Sequence, residues 1–145
     1  MTDIRLRAAT HGDLPLLVEV IASAYAAERA RLSGIPDVTE GLDAHIRDDI
    51  VQLAERAGAL LGVIVLVKQE NALMVANVAV SAEAQGAGIG GQLMRLAEQM
   101  ARGEGYDRLI LRTHAGMSAT RRFYAKLGWV ETGVSGQVVT MQNDL

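Results

Sequence analysis

The sequence predicts a protein of the α+β class, a mixed α/β structure with a central, mostly antiparallel sheet of six to seven strands flanked by about four helices. Apolar residues recur at helical spacing in four stretches and at strand spacing in seven others. The elements follow in the order β-α-α-β-β-β-α-β-α-β-β, and only the middle of this order alternates as a parallel sheet requires. The 145 residues suit one domain, which we expect to span residues 1–145.

The amino-terminal part predicts an edge strand and two helices. Residues 4–8 alternate apolar and arginine side chains, which is typical of a half-buried strand. Thr10 is suited to cap a helix over 12–28, because its side-chain oxygen can accept a backbone N–H. The apolar face of this helix consists of Leu14, Leu17, Val18, Ile21 and Tyr25. Glycine and proline favour a loop over 28–41, and a second helix is expected near 42–50.

Strand patterns dominate from residue 51 onward. Three runs separated by short turns predict an antiparallel meander, with strands over 51–56, 58–69 and 72–81. An amphipathic helix should follow the glycine-rich segment 85–91 and end at the glycines of RGEGYD. The remaining elements are a strand over 108–114, a helix over 118–128 that Gly128 ends, and two short strands over 129–133 and 138–142.

Composition and charge argue against several classes of function. The formal net charge of -3 lacks the basic excess of a nucleic-acid binder, so no nucleic-acid partner is expected. The longest apolar run, 59–67, is about half of what a membrane-spanning helix needs, so no membrane partner is expected. The amino terminus shows no signal peptide, and we expect a cytoplasmic protein. With no cysteine, and with histidines only at 11, 45 and 114, no metal site is expected.

The segment QGAGIGG, residues 85–91, satisfies two phosphate-binding patterns at once. One is G-x-G-x-x-G, the dinucleotide fingerprint, and the other is Q-x-x-G-x-G. They use Gly86, Gly88 and Gly91 in the first case, and Gln85, Gly88 and Gly90 in the second. A dinucleotide site needs an acidic residue at the end of the next strand, and here that strand ends in RTH. A P-loop would need Gly-Lys-Ser/Thr, which does not follow. The context therefore excludes both a dinucleotide site and a P-loop.

The chemistry of the segment still favours a diphosphate. Four glycines within six residues leave the backbone N–H groups at a helix start unobstructed, and the helix dipole attracts an anion there. A tight strand-to-helix turn alone would need only one or two glycines. We therefore expect a pyrophosphate-like group that is carried by something other than a nicotinamide or flavin dinucleotide.

Two motifs make the chain resemble the GCN5-related N-acetyltransferases (GNAT). VAVSAEAQGAGIGGQLM, residues 78–94, is similar to their coenzyme A segment, V-x-P-x-x-Q/R-G-x-G-x-G/A-x-x-L. MSATRRFYAKLGW, residues 117–129, is similar to their last helix, N-x-x-A-x-x-F/L-Y-x-K-x-G-F. The motifs have the family's order and spacing, and the order of elements matches along essentially the whole chain. Three residues depart from the pattern: Ala82 for proline, Ser118 for asparagine and Thr120 for alanine.

The resemblance implies direct transfer of the acetyl group of acetyl-CoA, the cosubstrate, to a primary amine of a small molecule or peptide. It implies that the pantetheine amides pair with backbone near Val78 and Val80 and that an N–H near Ala79 polarises the thioester carbonyl. Ser118 is expected to cap its helix and to donate one hydrogen bond to the coenzyme. The implied cofactor-binding residues are Val78, Ala79, Val80, Gln85, Gly86, Ala87, Gly88, Ile89, Gly90, Gly91, Ser118 and Tyr124.

The resemblance also assigns the general acid but not the general base. Tyr124, the tyrosine of FYAKLG, is the expected acid, because a phenol with a pKa of about 10 suits protonation of a leaving thiolate. The strand before the glycine loop carries Ala76 and Asn77, where many relatives have a carboxylate. The base candidates by position are Glu28, Glu40, His45, Glu70 and His114, beside deprotonation by water.

The acceptor is not identified by the sequence. The segment 28–41 and the final hairpin are expected to cover it, and Arg29 and Arg31 could meet a carboxylate on it or simply be solvated. A peptide amino terminus, a polyamine and an aminoglycoside stay open beside an amino acid. By family analogy, the apolar carboxy-terminal strands could support a homodimer. The alternative function is a coenzyme A-binding sensor or partner module with little catalysis, suggested by the missing strand carboxylate and by Ser118.

Overall fold

The computed structural model describes residues 3–33 and 39–145 and contains one seven-stranded sheet. The strands are β1 (Arg5–Ala8), β2 (Ile50–Arg56), β3 (Ala59–Lys68), β4 (Leu73–Val80), β5 (Arg108–His114), β6 (Val130–Ser135) and β7 (Val138–Asp144). The helices are α1 (Leu14–Arg31), α2 (Leu42–Asp48), α3 (Ile89–Gly103) and α4 (Ser118–Lys126). The order across the sheet is β1-β2-β3-β4-β5-β7-β6, and only β4 and β5 are parallel neighbours. The predicted fold class is confirmed.

Helices pack on both faces of the sheet, and each face has its own hydrophobic core. On one face, α1 packs through Leu17 and Ile21. On the other face, α3 packs through Leu93. Successive side chains of a strand point to opposite faces, so Val63 of β3 belongs to the first core and Ile64 to the second. The sheet is therefore buried between two helical layers over its central strands.

The amino-terminal helix differs from its prediction in two details. It begins at Leu14, after a 3-10 turn over His11–Asp13, and it continues to Arg31 rather than ending near 28. Val18, expected on the apolar face, is exposed, whereas Val20 is buried. Five of the fourteen residues of the predicted loop 28–41, namely 34–38, lie outside the described residues, so that prediction is only partly covered.

The parallel pair β4 and β5 stays together for only part of its length, which opens a wedge in the sheet. Pairing holds between 73–75 and 109–111 and stops there. On the side of β3, Ala76 is an extra residue, because Val75 and Asn77 pair with adjacent residues of β3. Such a β-bulge bends its strand and locally ends the regular pairing. The carboxyl ends of β4 and β5 therefore diverge.

Gly62 of β3 lets the start of α3 lie close against the sheet. A Cβ atom at this position would come within 3.0 Å of both the Ala79 carbonyl oxygen and the Ile89 side chain. A close-packed interior has no room for an extra atom at such distances. The absence of a side chain at Gly62 therefore fixes the first turn of α3 beside the diverging end of β4.

A cluster of charged residues ties β1 to the start of α1. The Asp13 carboxylate accepts hydrogen bonds from both Nη atoms of Arg7, at 2.8 and 2.9 Å, and from the Thr10 N–H at 2.8 Å. The Nε of Arg7 lies 3.1 Å from the Glu55 carboxylate on β2. The hydrogen bonds from Arg7 lower the pKa of Asp13 far below its usual range. Thr10 thus precedes the first turn as predicted, with Asp13 as its partner.

Asp13→Ala is expected to lower the free energy of unfolding by about 1–2 kcal/mol, because it removes both the cap and the bidentate ion pair. Folding lowers the pKa of Asp13, so its stabilisation is complete above about pH 4 and is lost as the pH falls further. Urea unfolding of both proteins should show a smaller difference at pH 3 than at pH 7. Equal differences at the two pH values would contradict this account, and the exposed Asp107→Ala is the control.

Candidate active site

The glycine-rich segment forms the turn between β4 and α3. Gly88 directly precedes the helix and has a φ of 80°, a left-handed conformation that glycine adopts without strain. The first turn of α3 is closed by a hydrogen bond from the Gln92 N–H to the Gly88 carbonyl, at 3.1 Å. The N–H groups of Ile89, Gly90 and Gly91 precede this bond at the positive end of the helix dipole. Such a row of donors can bind an anion.

Two side chains hold or extend this turn. The Gln85 side-chain amide donates a hydrogen bond to the Val80 carbonyl, at 3.3 Å, which ties the loop back to the end of β4. The Arg95 guanidinium lies over the first turn of α3, since a Cβ at Gly91 would be 3.6 Å from its Nη1. Arg95 places a positive charge beside the helix start, where it would reinforce binding of a phosphate group.

A cavity of about 480 Å³ opens between this turn, the end of β4 and helices α1 and α4. Most of the predicted site residues line it: Val78, Ala79, Val80, Gln85, Gly86, Gly88, Ile89, Gly90, Gly91 and Tyr124. Ala87 and Ser118 do not; both are exposed. The residue that caps α4 is Met117 and Ser118 is the first helical residue, so the predicted capping by Ser118 is wrong.

The backbone of β4 presents alternate residues to the wedge. The Ser81 N–H bonds to the Leu61 carbonyl of β3, at 2.8 Å, which fixes the alternation of the antiparallel pair. By this alternation the N–H of Ala79 points toward β3, whereas the N–H and carbonyl groups of Val78 and Val80 face the open side. The N–H of Val78, one residue before Ala79, therefore faces the wedge.

A second cavity, of about 140 Å³, lies between the diverging ends of β4 and β5. It shares part of its lining with the larger cavity, and the shared residues are Tyr25, Val78, Met117, Thr120 and Tyr124. The two cavities therefore meet at one wall, which we call the neck. Two substrates that enter from the two cavities would come together at the neck.

Tyr124 of α4 is buried at the neck, with 5% of its surface exposed. Its ring packs edge-on against Phe123, with centroids 5.3 Å apart, and against Trp129 at 5.6 Å. Burial, and then the neighbouring Tyr25, raise the pKa of the Tyr124 phenol well above its ordinary value. At neutral pH the phenol therefore keeps its proton and can donate a hydrogen bond.

Tyr25 of α1 faces Tyr124 across the neck. Its hydroxyl lies 3.1 Å from the Asn77 side-chain oxygen and 3.3 Å from the Val78 carbonyl, and both are hydrogen-bond acceptors. Burial, with a smaller contribution from the Glu28 carboxylate, raises the pKa of Tyr25 to about 12. The sequence placed Tyr25 only on the apolar face of its helix. No sequence motif distinguishes it, because the contact joins residues 52 positions apart.

The structure separates the candidates for the general base. Glu28 lines the larger cavity, one helical turn after Tyr25. His114 lines the smaller cavity, but its Nδ1 accepts the Gly116 N–H at 2.9 Å and its Nε2 lies 2.6 Å from the Ser33 carbonyl. Three candidates lie outside both linings: Glu40, His45 and Glu70. Glu28 is therefore the candidate carboxylate that the fold brings to the site.

Two further searches cover residues 3–33 and 39–145. Within these ranges, no group of three or more histidine, aspartate or glutamate side chains is arranged to hold a metal ion. No helix in the same ranges has both the length and the apolar character needed to cross a membrane.

Comparison with solved structures identifies the fold. The PaiA N-acetyltransferase of Thermoplasma acidophilum, in complex with coenzyme A, has a TM-score of 0.90 and 22% identity, over 99% of each chain. A GNAT family acetyltransferase of Elizabethkingia anophelis with acetyl-CoA bound has a TM-score of 0.76 and 18% identity, over 98% of each chain. The ribosomal-protein-S18-alanine N-acetyltransferase of Escherichia coli has a TM-score of 0.80 and 15% identity, over 98% of this chain and 94% of its own. At these identities the likeness shows a shared acetyltransferase fold.

The sequence identifies the family. The family model described as the acetyltransferase (GNAT) family matches residues 20–129. The chain therefore belongs to the GNAT family of acetyltransferases, which confirms the resemblance drawn from the two motifs. None of the curated proteins compared with it by sequence matches the chain.

Proposed function

We propose that this protein is an N-acetyltransferase that moves the acetyl group of acetyl-CoA directly to a primary amine of a small molecule or peptide, in a ternary complex. The observation that carries the proposal is the neck, where the larger cavity and the smaller cavity within the β4–β5 wedge share Tyr124. The larger cavity would take the donor, since it includes the anion-binding turn. Relatives of the same fold that hold coenzyme A or acetyl-CoA support this assignment.

Backbone groups would hold the donor. The N–H groups at the start of α3 bind the diphosphate, and Arg95 adds a positive charge beside them. The pantetheine amides pair with the open side of β4 at Val78 and Val80, in the way that a neighbouring strand would. The thioester then lies at the neck, with its carbonyl oxygen near the Val78 N–H.

The reaction needs one bond to form and one to break. The amine nitrogen attacks the thioester carbon, and the Val78 N–H stabilises the negative charge that develops on the carbonyl oxygen. The carbon–sulfur bond then breaks, and Tyr124 donates its proton to the leaving sulfur. A protonated amine first loses one proton to Glu28, directly or through water, and Glu28 releases it to solvent. After the attack the nitrogen loses a second proton to solvent, and solvent returns a proton to Tyr124. No covalent enzyme intermediate is formed.

Glu28→Gln is expected to lower kcat/KM for a fully basic amine by about 10²-fold, because an amide of the same shape cannot accept the proton. For an acceptor amine that is already uncharged at pH 7, kcat/KM should fall much less, since this amine needs no base before it attacks. Steady-state rates with the two kinds of amine measure this difference. Glu19→Gln, an exposed change on the same helix, is the control. Equal losses for both amines would remove Glu28 from the role of base.

Two measurements test the proposed function as a whole. Thermal unfolding with acetyl-CoA, CoA and NAD should show stabilisation by the first two and none by NAD. Release of free thiol from acetyl-CoA across a library of amines should then identify an acceptor. Binding without transfer to any amine would favour the alternative, a coenzyme A-binding sensor module. Failure to bind acetyl-CoA would end both proposals.

A further inference from the structure

The smaller cavity has a distinct chemical character among the described residues. Its lining includes no aspartate or glutamate side chain, and its basic side chains are Arg112 and His114 of β5. An acceptor whose amine reaches the neck must place its remaining atoms against this lining. The charge of the lining therefore bears on which amines the protein accepts, provided that the proposed transfer reaction is correct.

The two ring nitrogens of His114 are engaged within the protein. Its Nδ1 accepts a hydrogen bond from the Gly116 N–H at 2.9 Å. Its Nε2 lies 2.6 Å from the Ser33 carbonyl oxygen. Arg112 is therefore the basic side chain of the described lining whose donors remain for a ligand.

Arg112 has donors without a charged partner in the described part of the chain. Its Nη1 donates to the Met74 sulfur at 3.3 Å, and a thioether is a weak acceptor. The described ion pairs of other arginines, such as Arg7 with Asp13, use carboxylates instead. A guanidinium presents five N–H donors in a planar fork that matches a carboxylate. Arg112 thus lines the smaller cavity without a carboxylate partner among the described residues.

We propose that the acceptor is a small amine that also carries a carboxylate, of the amino acid class, and that Arg112 binds this carboxylate. The amine lies at the neck between Tyr25 and Tyr124, and Glu28 lines the donor side of the same neck. The positive end of the acceptor thus faces Glu28 and its negative end faces Arg112. A polyamine would place a second positive charge near Arg112 and is disfavoured. Arg29 and Arg31, the arginines considered from sequence, line neither cavity.

The test measures kcat/KM for two acceptors with two proteins, the wild type and Arg112→Met. One acceptor is an amino acid, and the other is its carboxamide, which keeps the amine and the side chain but lacks the negative charge. Wild-type protein is expected to favour the amino acid by about 10- to 100-fold in kcat/KM, the worth of a charge-assisted hydrogen-bonded pair. Arg112→Met should remove this preference, mainly by raising KM for the amino acid.

The matched control is Arg108→Met. Arg108 lies on the same face of β5, four residues earlier and so about 13 Å away, and its Nε lies 3.5 Å from the Asp144 carboxylate. This change should leave the preference intact, and thermal unfolding should show that both variants are folded. An equal or better rate with the carboxamide, a peptide amino terminus or spermidine in the wild type would overturn the inference. So would an unchanged preference in Arg112→Met.

The outcomes also separate this inference from the proposed function. If wild-type protein acetylates amines without regard to a carboxylate, the acetyltransferase assignment stands and the role of Arg112 is wrong. If acetyl-CoA binds but no amine in the panel is acetylated, the proposed reaction fails, and the acceptor class fails with it.

Discussion

Gly88→Leu is expected to weaken acetyl-CoA binding by at least about 100-fold, which corresponds to about 2.7 kcal/mol of binding free energy. A Cβ atom at Gly88 would meet nothing within 4 Å, so the new side chain would crowd no protein atom. It would instead enter the space in front of the N–H groups that begin α3, where the diphosphate is proposed to lie. Calorimetric titration with acetyl-CoA and with CoA measures the loss.

A matched variant separates this obstruction from backbone strain. The φ of Gly88 is 80°, and a non-glycine residue in this left-handed region costs roughly 1–2 kcal/mol of stability. Gly105 has a φ of 85°, has the same open surroundings and lies outside both cavity linings. Gly105→Leu should therefore lose similar stability but keep its affinity for acetyl-CoA. If Gly88→Leu binds acetyl-CoA as tightly as Gly105→Leu does, the diphosphate site has been misplaced.

Tyr124→Phe is expected to lower kcat by about 10²- to 10⁴-fold while acetyl-CoA affinity changes little. Phenylalanine keeps the ring contacts with Phe123 and Trp129 and removes only the hydroxyl that would protonate the leaving sulfur. The control is Tyr106→Phe, which removes a hydroxyl that donates to the Gln69 carbonyl at 2.7 Å, outside both linings. Unchanged turnover in Tyr124→Phe would exclude the acid role.

The pH profile gives a second readout on Tyr124. Burial raises the pKa of this phenol, so it keeps its proton at higher pH than an exposed tyrosine does. We therefore expect no loss of kcat from ionisation of Tyr124 below about pH 10. A descending limb below that pH that disappears in Tyr124→Phe would contradict the raised pKa.

The fold and part of the lining of the larger cavity could be predicted from local sequence patterns. The four glycines of residues 85–91 predict a short turn before a helix. The anion site that we propose there consists of backbone N–H groups, which the sequence alone already places at the helix start. The strand and helix periodicities fixed all seven strands and four helices, with ends displaced by a few residues at most. The predicted capping by Ser118 is wrong, because a serine at a helix start can occupy either the cap position or the first turn.

The lining of the smaller cavity, where we propose that the acceptor binds, could not be predicted, because it depends on contacts between distant residues. Tyr25 and Asn77 meet only after α1 packs against β4, and Arg112 lines the smaller cavity where β4 turns away from β5. Neither Asn77 nor Arg112 belongs to a local motif. From the sequence, Asn77 is notable only because it stands where many relatives have a carboxylate. In the structure its side-chain oxygen lies within hydrogen-bonding distance of the Tyr25 hydroxyl.

Because β4 and β5 diverge, strand pairing at the centre of the sheet ends at residues 75 and 111. Beyond residue 75, β4 pairs with β3 on one side and with no strand of the described residues on the other. An interior edge of this kind is open to any chain that carries amides at a matching repeat. The pantetheine arm of the donor has two such amides and would serve as a short additional strand. Loading the donor would then complete the architecture of the protein as well as supply the acetyl group.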